Sequence, residues 1–267
     1  MQATRIALAV EYDGEGFCGW QRQLHCHAVQ AELENALFKI ARHPITVHCA
    51  GRTDTGVHAS AQVVHFDTHV HRPMRAWSFG VNAHLHRNVA VHWSSVMPDD
   101  FHARYTALER SYRYTILNRA TRPGYQAGTL GWERIPLDSE RMHAAAQCLL
   151  GEHDFSSFRS SECQANHARR CVSHIAVIRQ EDRIVVDITA NGFLHNMVRI
   201  ITGCLLAIGR KDRPIEWLTE LLALQDRTQA GVTAPPQGLC FLQPRYPEKF
   251  NVPDFQALRG NPWRPDM

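Results

Sequence analysis

Several features are missing from this 267-residue chain, and each absence narrows what it can be. No apolar run approaches the roughly 18 residues that a membrane-crossing helix needs. The opening MQATRIALAVEYDG lacks the shape of a secretory signal. A cytoplasmic protein is therefore expected. Eight cysteines occur, at 18, 26, 49, 148, 163, 171, 204 and 240, with no CxxC pair. A chain of this length needs no disulfide staples, so reduced thiols are expected. Lysine is nearly absent, supplying three of the 29 basic residues, and the net charge is only +3. The length suits one large domain or two of about 100–150 residues.

What is present has a clear order. RIALAVEY (5–12) alternates strictly, with Ile6, Leu8, Val10 and Tyr12 on one face, and predicts a strand. AVQAELENALFKIA (28–41) places Val29, Leu33, Leu37 and Ile40 at helical spacing. Strands over 45–50 and 61–67, a helix over 74–83 and a strand over 89–96 complete a β-α-β-β-α-β unit. The same order returns as a strand over 111–117, a helix over 138–151 begun by a capping aspartate and closed by a glycine, and a hairpin of 172–178 with 183–190. A helix over 194–208, a shorter one over 215–224 and a strand over 239–243 end it. The expected fold is α+β: two ferredoxin-like β-α-β-β-α-β halves with largely antiparallel sheets. The halves are expected at 1–105 and 106–247, with 248–267 as a surface tail.

Two patterns invite readings that their surroundings do not support. Gly14-Glu15-Gly16-Phe17-Cys18-Gly19 matches GxGxxG after a strand, but a dinucleotide site needs a helix starting at those glycines. Here Trp20-Gln21-Arg22-Gln23 intervenes, and Glu15 sits where an anion would bind, so a plain glycine loop is the better reading. Seventeen histidines include three HxH pairs (25/27, 69/71 and 84/86). No HExxH or Cys-His cluster supplies the further ligands a metal needs, so surface histidines are expected and no metal.

The stretch CAGRTDTGVHASAQVVHF (49–66) sets Arg52, Asp54 and His58 in a loop between two extended runs. A plain turn would use Asp54 to cap the backbone and Gly56 for its positive φ. A lone carboxylate at a strand end, kept ionised by arginines, is also a poised nucleophile or base. No second carboxylate accompanies it, so a glycosidase pair is not indicated. Between Phe101 and Arg134 lie six arginines against two glutamates, interleaved with Tyr105, Tyr112 and Tyr114. Arginine and aromatic rings together hold phosphates and stack on bases, although a solvated strand face reads the same way. One anionic residue beside such a surface points to chemistry on a nucleobase or its sugar.

At this point the residues resemble a family. G-R-T-D-x-G-V-H-A (51–59) resembles the catalytic signature of the A-type tRNA pseudouridine synthases. So do Y-D-G-x-x-F-x-G-W-Q-R-Q (12–23), V-N-A (81–83), F-H-A-R (101–104), R-x-Y-x-Y (110–114) and M-V-R (197–199). The motifs run in the expected order from Tyr12 to about Tyr246. Thr55, where many members have Ala, and Ser111 inside R-x-Y-x-Y are the departures.

The resemblance implies two related α+β halves joined around a central cleft, a homodimer, and no cofactor or metal. It implies isomerisation of uridine to pseudouridine at positions 38, 39 and 40 of the tRNA anticodon stem-loop. Asp54 would be the nucleophile, attacking either the uracil ring or the ribose C1′. Tyr112 would stack on the target base, Arg199 pair with Asp54, Arg52 hold the flipped nucleotide and Leu239 line the pocket. Phe101, His102, Ala103, Arg104 and Tyr105, with Glu162, Cys163, Gln164, Ala165 and Asn166, fall where the family contacts tRNA.

Two other classes compete: a non-catalytic RNA-binding module of the RRM type, and a metal-dependent hydrolase built on the HxH pairs. The strand RSYRYTIL lacks the glycine-aromatic RNP pattern, and a pure binder has no use for the Arg-Asp loop. Chelation separates the second. Full turnover is expected in excess EDTA, because side chains alone supply the proton transfers and the nucleophile. Loss of turnover on chelation, with recovery on adding zinc, would overturn the metal-free reading.

Overall fold

Strict alternation at the N-terminus becomes a strand, and the computed structural model, which describes residues 3–259, builds a mixed α+β fold on it. The elements are β1 (Thr4–Tyr12), α1 (Val29–Ala41), β2 (His48–Cys49), β3 (His58–Thr68), β4 (Val89–Met97) and β5 (Glu109–Asn118). Then come β6 (Gly131–Glu133), α2 (Ser139–Ala146), β7 (Gly151–Asp154), β8 (Arg169–Gln180) and β9 (Arg183–Ala190). Last are α3 (Met197–Gly209), α4 (Trp217–Leu224), β10 (Leu239–Arg245) and α5 (Phe255–Arg259). The chain divides into two units: residues 1–108 with 241–267, and residues 109–240.

In the first unit β1 lies between β4 and β3, antiparallel to both, and β2 pairs with β3. β1 is buried on both faces, because Ala7 and Ala9, on the face opposite Ile6, Leu8 and Val10, leave room for a second apolar layer. That layer contains Phe101, Tyr246, Phe250 and Phe255. Expected as a strand over 45–50, β2 is laddered only at His48 and Cys49. Helix α1 is the cause: Glu34 accepts the Val47 N–H at 3.1 Å and Gln30 donates to the Val47 carbonyl at 3.4 Å. Side chains have replaced the ladder there.

In the second unit the sheet runs β5-β9-β8-β7, all antiparallel, with β6 parallel to β5. The hairpin turns at Glu181, whose φ is 55°. Asp138 caps α2 by accepting the Arg141 N–H at 3.1 Å. The helix read over 138–151 stops at Ala146, however, and Gly151 (φ 92°) opens β7, which pairs with β8. Pairing with a distant strand outcompetes local helix propensity. α2 packs on β8 and α3. α3, apolar on nearly every side, buries ten of its residues.

A surface tail from 248 is not what the described part shows. Phe250 and Phe255 are buried, and Phe250 meets Phe101 edge-on with ring centroids 5.2 Å apart. The last eight residues of that stretch, 260–267, lie outside the described residues. Phe250→Ala is expected to cost about 3–5 kcal/mol of stability, as for other buried Phe truncations. Chemical denaturation measures it, and a cost under about 1 kcal/mol would remove the segment from the core.

Candidate functional site

The loop between β2 and β3 carries Arg52 and Asp54, and its main chain is held on every side. Ala50 donates to Val63 at 2.9 Å. Gln62, fully buried on β3, donates through Nε2 to the Gly51 carbonyl at 2.5 Å. Thr53 is tied twice, its carbonyl accepting the Trp20 N–H at 2.9 Å and its Oγ1 lying 2.7 Å from the Tyr12 hydroxyl. The turn closes through the Val57 N–H onto the Asp54 carbonyl at 3.1 Å, with Gly56 at φ 76°. The expected positive φ at Gly56 is therefore present, and the turn hydrogen bond itself runs between main-chain groups. Asp54 is half-buried, and Arg52 and Thr55 are exposed.

The glycine loop 13–20 lies directly on this turn. A Cβ on Gly14 would stand 2.2 Å from the Val57 carbonyl oxygen. A Cβ on Gly19, whose φ is 85°, would stand 2.6 Å from the Thr53 oxygen and 3.0 Å from the Asp54 carbonyl carbon. At Gly16 (φ 84°) there is open space. Gly14 and Gly19, the outer glycines of GxGxxG, thus cradle a peptide backbone rather than a phosphate. His58, buried at the start of β3, closes the arrangement with Nδ1 3.0 Å from the Gly14 nitrogen and 2.9 Å from Asp13 Oδ1. Neutral at Nδ1 it accepts from Gly14; protonated there it donates to Asp13.

The segment 101–105 belongs to the same unit. Phe101 and Ala103 are fully buried, so His102, Arg104 and Tyr105 are the members with side chains reaching the surface. The Arg104 guanidinium lies 5.6 Å from the Tyr105 ring centroid. Burial pushes the Cys49 thiol up to about 12, while Arg52 and Arg104 both pull it the other way. The His102 ring lies 5.5 Å from that of His48, next to Cys49 on the strand that leads into the loop.

In the second unit Tyr112 stands on β5 opposite Ile188, nearly buried, with Phe193 edge-on at 5.0 Å. Arg199, in the first turn of α3, donates through Nε to the Ala234 carbonyl at 2.8 Å and through Nη1 to Asn196 Oδ1 at 2.7 Å. Ala234 returns its N–H to the Arg199 carbonyl at 3.0 Å. One turn on, a Cβ on Gly203 would lie 1.8 Å from the Val232 oxygen, so the 231–236 segment crosses α3 at that glycine. Leu239, buried, donates its N–H to Pro236 at 2.9 Å.

In the 162–166 segment Glu162, Gln164 and Asn166 are exposed, and Cys163 and Ala165 are half-buried. Arg159 holds it, donating to the Cys163 and Ala165 carbonyls at 2.8 Å each. Burial raises the Cys163 thiol, but the His195 and Ala165 N–H groups and Arg159 outweigh it and leave the thiol below its ordinary value. Among the described residues no group of three or more His, Cys, Asp or Glu side chains is placed to hold a metal. Nor is any described helix long and apolar enough to cross a membrane.

A sequence model of the family described as tRNA pseudouridine synthase matches residues 8–106 and 145–247. The chain belongs to that family. It is 54% identical over 250 residues to tRNA pseudouridine synthase A of Hydrogenovibrio crunogenus, covering 94% of this chain and 95% of the relative. The counterpart from Pseudoalteromonas atlantica is 55% identical over 249 residues (93% and 95% covered). That from Stenotrophomonas maltophilia is 54% identical over 250 residues (93% and 98% covered). Enzymes of this family are isomerases, and so is this synthase.

Gln62 and Gly203 carry no signal in the sequence. Thr53, Gly14 and Gly19 fall inside the family motifs at 51–59 and 12–23, but nothing local shows that the two glycines face a peptide backbone, and GxGxxG by itself points at the wrong ligand. In this synthase Gly19→Ala is expected to displace the turn at Asp54 and cut pseudouridine formation about 10²-fold, the scale of a roughly 1 Å misplacement. Gly16→Ala, with the same sign of φ but open space, serves as the control and should stay near wild-type activity. Equal losses in both variants, measured by kcat, would attribute the effect to φ strain and not to the cradle.

Proposed function

We propose that this synthase isomerises uridine to pseudouridine in tRNA, at positions 38, 39 and 40 of the anticodon stem-loop, with Asp54 as nucleophile. The observation that carries the reading is the immobilised turn: the main chain around Asp54 is held by hydrogen bonds and close backbone contacts to neighbouring segments, and the half-buried Asp54 stands in the loop that leads into a strand. Attack on the uracil ring or on C1′ leads to the same balance. The C1′–N1 bond breaks, the base turns, a C1′–C5 bond forms, and the C5 proton leaves while N1 gains one. No atom is gained or lost, and no redox partner is needed.

The remaining roles follow as part of the same proposal. Extruding a stacked uridine costs a few kcal/mol, and stacking on an aromatic ring, worth about 1–3 kcal/mol per base, offsets much of it. Tyr112, Arg52, Arg199 and Leu239 are assigned to the bound uridine. Exposed side chains of 101–105 and 162–166 are assigned to the tRNA around it. The β4-β1-β3-β2 order of the first unit supports a ferredoxin-like first half, and in this reading the two halves are 1–105 and 106–247. A cytoplasmic homodimer without cofactor belongs to this reading.

Asp54→Asn tests it. The substitution keeps size and leaves the turn's main-chain bonds in place, but removes the charge. Tritium release from uracil C5 of tRNA is expected to fall at least about 10³-fold, the scale of losing a covalent nucleophile. Melting temperature and tRNA affinity should stay near wild type. Normal turnover by the variant would reduce Asp54 to a turn residue and end the reading.

A further inference from the structure

His65 lies on β3 seven residues beyond His58, 2% exposed and used by none of the roles above. Its ring stacks on His48 of β2, with centroids 5.0 Å apart and planes at 26°. It meets His102 at 4.5 Å and Phe101 edge-on at 6.0 Å. Its Nδ1 accepts the Ala103 N–H at 3.2 Å. The Ala103 carbonyl is taken by the Tyr246 hydroxyl at 2.6 Å. Arg5, gripped by Asp67 through two bonds of 2.8 Å, donates to the carbonyls of Asp99 at 2.5 Å and Phe101 at 2.8 Å. Segment 99–103 forms no strand, yet side chains hold its main chain at four points.

What leaves this clamp is the exposed pair Arg104 and Tyr105. His102 Nδ1 accepts their N–H groups at 3.1 and 3.2 Å, and its ring lies 4.3 Å from that of Tyr105. A guanidinium beside an exposed aromatic ring suits an RNA phosphate next to an unstacked base. Such a pair is useful only if its direction is fixed, since ordering long side chains on binding opposes affinity.

We propose that His65 is a positioning residue for RNA binding: by holding the Ala103 peptide together with Tyr246, it fixes the direction in which Arg104 and Tyr105 meet a phosphate and base of the tRNA. This rests on the reading of 101–105 as a tRNA contact. The clamp needs an unprotonated Nδ1. Burial, helped by His102, His48 and Arg5 and opposed by Asp67, lowers the His65 pKa from 6.5 to about 3, so the acceptor persists through the physiological range.

The test is a double-mutant cycle on full-length protein with unmodified tRNA. Arg104→Ala should weaken tRNA affinity about 5- to 10-fold and flatten the dependence of log K on log salt by about one contact. His65→Phe keeps a stacking ring but removes the acceptor. It should weaken affinity about 5-fold and leave kcat within twofold. The double variant should bind more weakly than Arg104→Ala alone by clearly less than about 5-fold, because only the Tyr105 contact is left for the loss of His65 to misdirect. Tyr246→Phe, which releases the other end of the same peptide, should show the same non-additivity and stands in if His65→Phe folds poorly. Additive losses, or a lowered melting temperature with unchanged affinity, would overturn the positioning role while the tRNA contact stands. Unchanged affinity in Arg104→Ala would overturn the contact itself and this inference with it. Melts read the same group. An unfolded histidine binds its proton near pH 6.5 and the folded one only near 3. Wild-type stability should therefore fall as pH drops between those values, and His65→Phe should fall less steeply.

Discussion

Two places where one stretch of backbone lies directly on another, at Gly14 and Gly19, govern the first unit's loop. The distances left for a Cβ there, 2.2 and 2.6 Å, are well inside any tolerable contact. The 13–20 and 53–57 segments can therefore touch only if both positions are glycine. That contact brings the Trp20 N–H to Thr53 and Gly14 to His58. Each hydrogen bond is worth only about 1 kcal/mol net. Their value lies in number: a turn of a few residues with this many fixed groups has one accessible conformation. Arg52 is exposed and Asp54 half-buried at the head of this fixed turn.

The second unit repeats the device with other residues. Gly203 lets the Val232 carbonyl lie against α3, and the same crossing segment exchanges main-chain and side-chain bonds between Ala234 and Arg199. Tyr114, whose hydroxyl donates to Pro235 at 2.9 Å, is packed where a Cβ on Gly131 or Gly238 would strike its ring at 2.7 and 2.6 Å. Burial there pushes the phenol above its ordinary value, so it remains a donor. In both units a glycine permits close approach and hydrogen bonds then lock the neighbour.

This explains which parts could be read from the residues alone. Alternation in RIALAVEY, the capping Asp138 and the turn at 181 are local facts, and the structure keeps them. The Arg-Asp loop was legible because its chemistry was out of place in a connector. β6 and β7 were not legible: three and four residues long, they exist only because β5 and β8 offer them partners. The shortening of β2 was equally hidden, since it depends on Glu34 and Gln30 reaching Val47 from a helix. The cradle was hidden for the deepest reason. A glycine that serves backbone contact and one that serves a phosphate leave the same mark in sequence, and only the segment lying opposite tells them apart.

The arginines carry the last step. Read in sequence, six of them between 101 and 134 suggested a phosphate-binding stretch. In the fold Arg113 pairs with Asp187 at 2.7 Å, Arg119 with Asp182 at 3.3 Å, and Arg110 donates to the Asn191 carbonyl at 3.0 Å. Two of the six are thus paired with carboxylates and a third is tied to a carbonyl within the second unit. Elsewhere arginine serves as a staple for loops: Arg5 on Asp99 and Phe101, Arg159 on Cys163 and Ala165, Arg199 on Ala234. A guanidinium holds two carbonyls at once because its five donors are fixed in one plane, whereas an ammonium is a single compact point with rotatable donors. The scarcity of lysine then has a structural cause as well as a chemical one. Arg5 and Arg159 each hold two loop carbonyls in this way, and Arg199 a carbonyl and an amide oxygen, so each stiffens a segment by donors that a single ammonium could not aim at once.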